Sequence, residues 1–116
     1  ILLKIAKSNV VGLTVDFSNL TFSGENMPEV ISTLEDRIYN THVKNGTIDE
    51  NGNWHFHALD TGLTDYSEVL ALLRDQNYTG YLTIECLGPD ANEKPIATAK
   101  RDLNILRHYL KQIEGS

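Results

Sequence analysis

Three short apolar runs of this chain end at or next to residues that bind divalent metals. Asp16 closes VVGLTVD, His42 stands one residue from the end of RIYNTHV, and Glu85 closes GYLTIE. In parallel-sheet folds the side chains at the carboxyl ends of strands line the active site, because the loops that follow them cluster there. Two carboxylates and an imidazole suit a hard or borderline ion such as Mg, Mn, Zn or Co. Each residue also has an ordinary structural use. Strand-end carboxylates commonly cap helices or pair with cations, and a single histidine is commonly a satisfied buried imidazole.

The elements that would hold these residues follow from local pattern. Val10 to Asp16 is β-branched and bounded by polar residues, which predicts a buried strand. Asn26 is a good N-cap, with Pro28 in the first turn and Glu29 three residues on, and Met27, Val30, Ile31 and Leu34 form the apolar stripe of the helix that follows. Arg37 to Val43 reads as the second strand. The stretch KNGTIDENGNWHFHALDTG is rich in Asn, Gly and Asp, which predicts a long loop with a turn at Asn51-Gly52 and a short strand near Trp54 to Leu59. Asp65 and Glu68 form a capping box for a helix carrying Tyr66, Val69, Leu70 and Leu73. Asn77 to Gly80 breaks the chain before a last strand, Tyr81 to Cys86. A final helix is expected from about Asn92 to Ile113, on the spacing of Ile96, Ala99, Leu103, Leu106 and Leu110. Ile1, Leu2 and Ile5 read as the tail of a preceding helix over residues 1–9. The whole chain, 1–116, reads as a single partial domain.

Strands alternating with helices imply right-handed crossovers and a parallel sheet. Side chains alternate between the faces of a strand, so Thr14 and Asp16 share one face while Leu13 and Val15 share the other. Ile38, Asn40 and His42 are set against Tyr39, Thr41 and Val43 in the same way, and Tyr81, Thr83 and Glu85 against Leu82 and Ile84. In the first and last strands one face is therefore aliphatic and the other small or polar. A sheet covered by helices on both sides would be apolar on both, so the polar face fits the inside of a barrel.

Composition limits the partners. The chain has 116 residues, 41% hydrophobic and 22% charged, with a formal net charge of -6. That balance argues against a nucleic-acid groove, which needs clustered Lys and Arg. Cys86 is the one cysteine, so no intrachain disulfide can form and a reducing compartment is expected. No run has the length of a membrane span, and the expected location is the cytoplasm.

The motifs together resemble the sugar phosphate isomerase/epimerase family of xylose isomerase-like TIM barrels, a superfamily that also includes endonuclease IV and is known as AP endonuclease family 2. VGLTVDFSN resembles the family's strand ending in Asp-x-x-His, and YNTHVKN its His-x-Lys-Asp strand. HALDTGLTDYSEVLALLRDQNYTGYLTIE resembles its segment from Leu-Gly-x-Gly through a helix to Tyr-x-Gly and a final Glu. The resemblance runs across almost the whole chain. It implies an α/β fold, the C-terminal half of a (β/α)8 barrel, strands 5–8, with parallel strands and outer helices. A full barrel of this kind needs roughly 250 residues. The missing N-terminal half, or a second copy of this chain, is then the expected partner.

What the family implies about chemistry is a divalent metal (Mn, Mg, Co or Zn) held by Glu, Asp, His and Glu. Asp16, His42 and Glu85 match three of those positions, and the first Glu would lie upstream of Ile1. The expected reaction is metal-assisted proton transfer on a ketose, a sugar or sugar phosphate, with Glu85 as a catalytic carboxylate and Lys44, Asn19 and His57 as substrate-binding residues. Departures from the pattern keep a non-catalytic half-barrel open as the alternative. Asn19 stands where the family often has His, Asn45 where it often has Asp, and Asp60 in place of the first Gly of Leu-Gly-x-Gly. An endonuclease IV-like repair activity is disfavoured, because Trp54 and Phe56 fall where that enzyme places zinc ligands and because the chain is acidic.

Overall fold

The computed structural model of the chain describes residues 9–115. The helix tail expected over 1–9 therefore lies outside the described residues, apart from Asn9, which is in a turn. In chain order the elements are β1 (Leu13–Asp16), α1 (Phe17–Phe22), α2 (Met27–Leu34), a 3-10 turn (Glu35–Arg37), β2 (Ile38–Val43), β3 (Asn45–Ile48), β4 (Trp54–His57), α3 (Tyr66–Asp75), β5 (Tyr81–Ile84), α4 (Pro89–Glu93) and α5 (Pro95–Glu114). Strands β1, β2 and β5 form a parallel sheet in the order β1-β2-β5. Strands β3 and β4 form a separate antiparallel hairpin. The short strand expected near Trp54 is thus present but pairs outside the barrel sheet, which holds three parallel strands among the described residues rather than four.

Helices cover one face of the parallel sheet. Val15, Phe17, Ile31, Val43, Val69, Leu70, Leu73 and Leu106 are buried together there, and each such side chain contributes about 1.5–3 kcal/mol by leaving water. The expected alternation holds toward the carboxyl ends. Val15, Thr41 and Val43 are buried, whereas Asn40 and His42 are half-buried and Thr14 and Thr83 exposed. At the amino end a bulge interrupts it, since the register runs from Leu13 opposite Ile38 to Thr14 opposite Asn40 and skips Tyr39. An extra residue re-aims the side chains on either side of it. Ile38 is accordingly buried and Tyr39 exposed, with the Tyr39 hydroxyl donating to the carbonyl of Asn9.

Two helices differ from expectation. α1 goes unread in the sequence, because six residues are too few to show an apolar period. Asp16 closes β1 and also caps α1, accepting from the Asn19 N–H at 3.0 Å. The last helix is broken in two at Lys94, which takes φ -135° and ψ 68°. Proline disfavours the helical conformation in the residue before it, and Pro95 follows. The caps at Asn26 and Asp65 form as read, accepting from the N–H groups of Glu29 and Glu68. Among the described residues no helix is long and apolar enough to cross a membrane.

Candidate metal and substrate site

Strand register brings the three strand-end residues together. Asp16 of β1 lies opposite His42 of β2. His42 lies opposite Thr83 of β5, and one step past that strand the Glu85 N–H donates to the Val43 carbonyl at 3.0 Å. Side chains two apart on a strand share a face, so Glu85 turns to the same polar side as Thr83. One ligand atom from each of Asp16, His42 and Glu85 lies within 4.8 Å of the other two. Three ligands on one divalent ion with bonds of about 2.1 Å stand about 3.0–3.6 Å from one another. Side-chain rotations that draw these atoms about 1 Å or more closer together would gather them on a common ion, and two carboxylates with an imidazole are a fitting donor set. His42 Nδ1 already stands 3.7 Å from Glu85 Oε2.

Lys44 is the fourth member of this group. Its ammonium bonds Asp16 Oδ2 and lies 3.2 Å from Glu85 Oε2, and its side chain is only 8% exposed. Asp16 is thereby engaged at both oxygens, one by the Asn19 N–H and one by Lys44. The ordinary uses of a strand-end carboxylate, capping and charge pairing, are both realised at a residue that also belongs to the cluster.

Beneath Lys44 lies a buried polar network. Tyr66 accepts from the Lys44 N–H at 3.0 Å and donates to the Lys44 carbonyl, which also receives Ser18 Oγ. Ser18 Oγ lies 3.0 Å from Thr64 Oγ1 and 3.1 Å from Tyr66 Oη. Burial pushes the Tyr66 hydroxyl up to about 12. The neighbouring Asn45 donates to the carbonyls of Leu59 and Thr64, both at 2.9 Å, and accepts from the N–H groups of Gly46 and Thr64. An aspartate could not make the two donated bonds, so Asn45 here serves as a structural clamp. In sequence Ser18 resembles a turn residue and Tyr66 a member of an apolar stripe. Nothing in their spacing announces that they meet.

The departures at Asp60 and Asn19 also take a physical form. Gly62, the glycine retained from the pair, has φ +148°, and a Cβ there would strike the backbone of Gly46 and the side chain of Asn45. Asp60 is exposed and has no positive φ, so the first glycine is not needed. Asn19 is exposed on α1 and reaches the cluster through its backbone N–H on Asp16.

His57 stands apart from the cluster. It is exposed on β4, with Nε2 3.1 Å from Thr47 Oγ1. His55 pairs with Asp49 at 2.8 Å, and its hydrogen bond is the main cause that lowers the Asp49 carboxyl to about 2. Trp54 stacks edge-on against Phe22 with ring centroids 4.5 Å apart and lies 5.9 Å from Phe56. Trp54 and Phe56 thus build an aromatic contact, as the non-ligating character of those side chains requires.

A polar-faced parallel sheet with outer helices, bearing carboxylates and an imidazole at its strand ends, defines a fragment of an α/β barrel. Residues 1–109 match the xylose isomerase-like TIM barrel family, and the chain belongs to that family. Inosose dehydratases from two strains of Clostridium perfringens are 25% identical over 125 aligned positions, covering 96% of this chain and 41% of theirs. The crystal structure of a xylose isomerase domain protein from Planctomyces limnophilus superposes with a TM-score of 0.76 at 22% identity. That match covers 98% of this chain and 43% of the other. The chain therefore spans about two fifths of the length of these relatives.

Proposed function

We propose that the full-length protein carrying this chain is a divalent-metal-dependent enzyme that moves a proton on the carbon next to a ketose carbonyl, as in isomerisation or epimerisation of a sugar or sugar phosphate. The observation that carries this reading is the convergence of Asp16, His42 and Glu85 within 4.8 Å at the ends of three neighbouring parallel strands. When bound, the metal would polarise the carbonyl and neighbouring hydroxyl oxygens. Asp16 and His42 would hold it from β1 and β2. Glu85 is 37% exposed at its side chain, which leaves it open to the substrate side, and it would take and return the carbon-bound proton. An inosose, the substrate named for the Clostridium relatives, is a cyclic ketone with hydroxyls on both neighbouring carbons and belongs in the same panel as the ketoses.

The rest of the barrel is the proposed partner. Leu13 on β1 is 44% exposed, and Tyr81 on β5 and Ile96 on α5 are 81% and 73% exposed. These apolar groups border the two outer strands of the sheet, where a neighbouring strand and helix would cover them. A second copy of the chain is the alternative cover, and the cytoplasm is the proposed location.

The test is metal analysis of the full-length protein, followed by exchange of carbon-bound protons in deuterated water with a panel of ketoses and inososes under Mn or Co. Exchange in the wild type, lowered by about 10²–10⁴ in Glu85→Gln, is the expected result. Bound metal with no exchange on any member would favour the second reading, a non-catalytic binding barrel, for which the Lys44 ammonium between the carboxylates is the motivating observation.

A further inference from the structure

We infer that Lys44 is an internal counter-cation of this site, which competes with a divalent metal for Asp16 and Glu85 and is expelled toward the substrate side when the metal enters. The inference rests on the metal-site reading above and adds a state to it. A buried ammonium is unfavourable without partners, and the partners of this one are two of the three proposed ligands. In its absence Asp16 and Glu85, which share this ammonium, would be left as neighbouring like charges. The lysine thus supplies the compensating charge that a metal would otherwise supply. A divalent cation brought to the same two carboxylates would meet the ammonium as a like charge at close range, and the two compete for the same negative charge.

The geometry also says how the exchange can occur. The Lys44 backbone is held at both its N–H and its carbonyl by Tyr66, with Ser18 on the carbonyl as well. The main chain is therefore pinned, and only the flexible four-carbon stem can move. Lys44 is 7% exposed in the described state, and the helix-covered face behind it is filled by Val43 and Tyr66, both 1% exposed. The open direction is the polar face where Thr14 and Thr83 meet solvent. Metal loading would accordingly deliver a free ammonium, a donor for a substrate hydroxyl, phosphate or carbonyl oxygen, beside the ion.

The experiment uses the full-length protein and Mn2+ alone. Acetylation of Lys44 by a water-soluble amine reagent is quantified by mass spectrometry with chelator and with saturating Mn2+. Mn2+ affinity is measured by titration for wild type, Lys44→Met and Lys44→Arg. The expected results are a rise in Lys44 labelling on Mn2+ addition and Mn2+ binding tighter by about tenfold or more in Lys44→Met, from loss of a like charge. Lys44→Arg, which keeps the charge, should bind no tighter than wild type. Mn2+ binding to Lys44→Met but not to wild type is the same competition in its strongest form. Bound Mn2+ with Lys44 labelling unchanged or lowered, or Lys44→Met binding no tighter than wild type, overturns the inference and leaves the metal site standing. Mn2+ binding by neither wild type nor Lys44→Met overturns both. Should Lys44→Met fail to fold, the labelling of wild type decides.

Discussion

Two groups of polar side chains follow β2 within fifteen residues of each other, and they meet opposite fates. At the strand end Lys44 and Asn45 are buried, and their backbone and side-chain polar atoms are met by Ser18, Thr64, Tyr66 and the carboxylates of Asp16 and Glu85. Farther along the hairpin Asp49, His55, Thr47 and His57 pair across β3 and β4 at the surface. By residue type the second group, with its two histidines, is the more suggestive of chemistry. The first is the one that shapes the site, because burial makes each hydrogen bond obligatory and so fixes where the strand end points.

The sharpest way to break that contrast is at Gly62, whose missing Cβ lets the loop close on Asn45 and Gly46. Gly62→Ala should destabilise by about 3–5 kcal/mol through a backbone collision at a strained φ. Urea unfolding of the full-length protein with chelator present checks this, and a loss under about 1 kcal/mol would show that the loop relaxes freely. Asn45→Ala comes next, at about 3 kcal/mol, because it strands buried carbonyls of Leu59 and Thr64 as well as two N–H groups. The same denaturation measurement applies.

Tyr66→Phe removes both contacts to the Lys44 backbone and should cost about 2 kcal/mol, since Ser18 still serves the carbonyl. It carries a pH signature too. The folded-state tyrosine releases its proton at about 12 against the ordinary 10.0. Between those values the folded state holds a proton that the unfolded chain has lost, so stability from this group is complete below pH 10 and falls as pH rises toward 12. Tyr66→Phe should flatten that part of the alkaline stability curve.

The smallest effect is expected in the hairpin. His55→Ala should raise the Asp49 carboxyl from about 2 toward its ordinary 3.8, read as a carboxyl titration by NMR, with the thermal midpoint left where it was. Because the shift is downward, the contribution of this exposed pair is present above pH 4 and is lost as pH falls toward 2. A large fall in stability at neutral pH would place the hairpin with the buried clamp and erase the distinction.

Much of this arrangement is legible in the residues. Asp16, His42 and Glu85 stand out because each ends an apolar run and because side-chain alternation places them on the polar face of their strands. The caps at Asn26 and Asp65 are local chemistry and form as local chemistry dictates. α1 escapes notice because Asp16 plays strand end and helix cap at once. The split at Lys94 is signalled by Pro95, yet the long apolar stripe of the last helix obscures it. Sequence also suggests Lys44 as a substrate contact, whereas its place among the carboxylates depends on three strands lying side by side.

The sequence alone thus determines short-range facts: the caps at Asn26 and Asp65, the alternation toward the strand ends, and three side chains whose types suit a metal. The tertiary structure decides what those side chains face. Hydrogen bonds and charge pairs between residues 26, 28 and 41 positions apart, such as those joining Ser18, Asp16 and Glu85 to Lys44, leave no periodic trace in the chain. They exist only because the parallel register of β1, β2 and β5 brings three strand ends side by side.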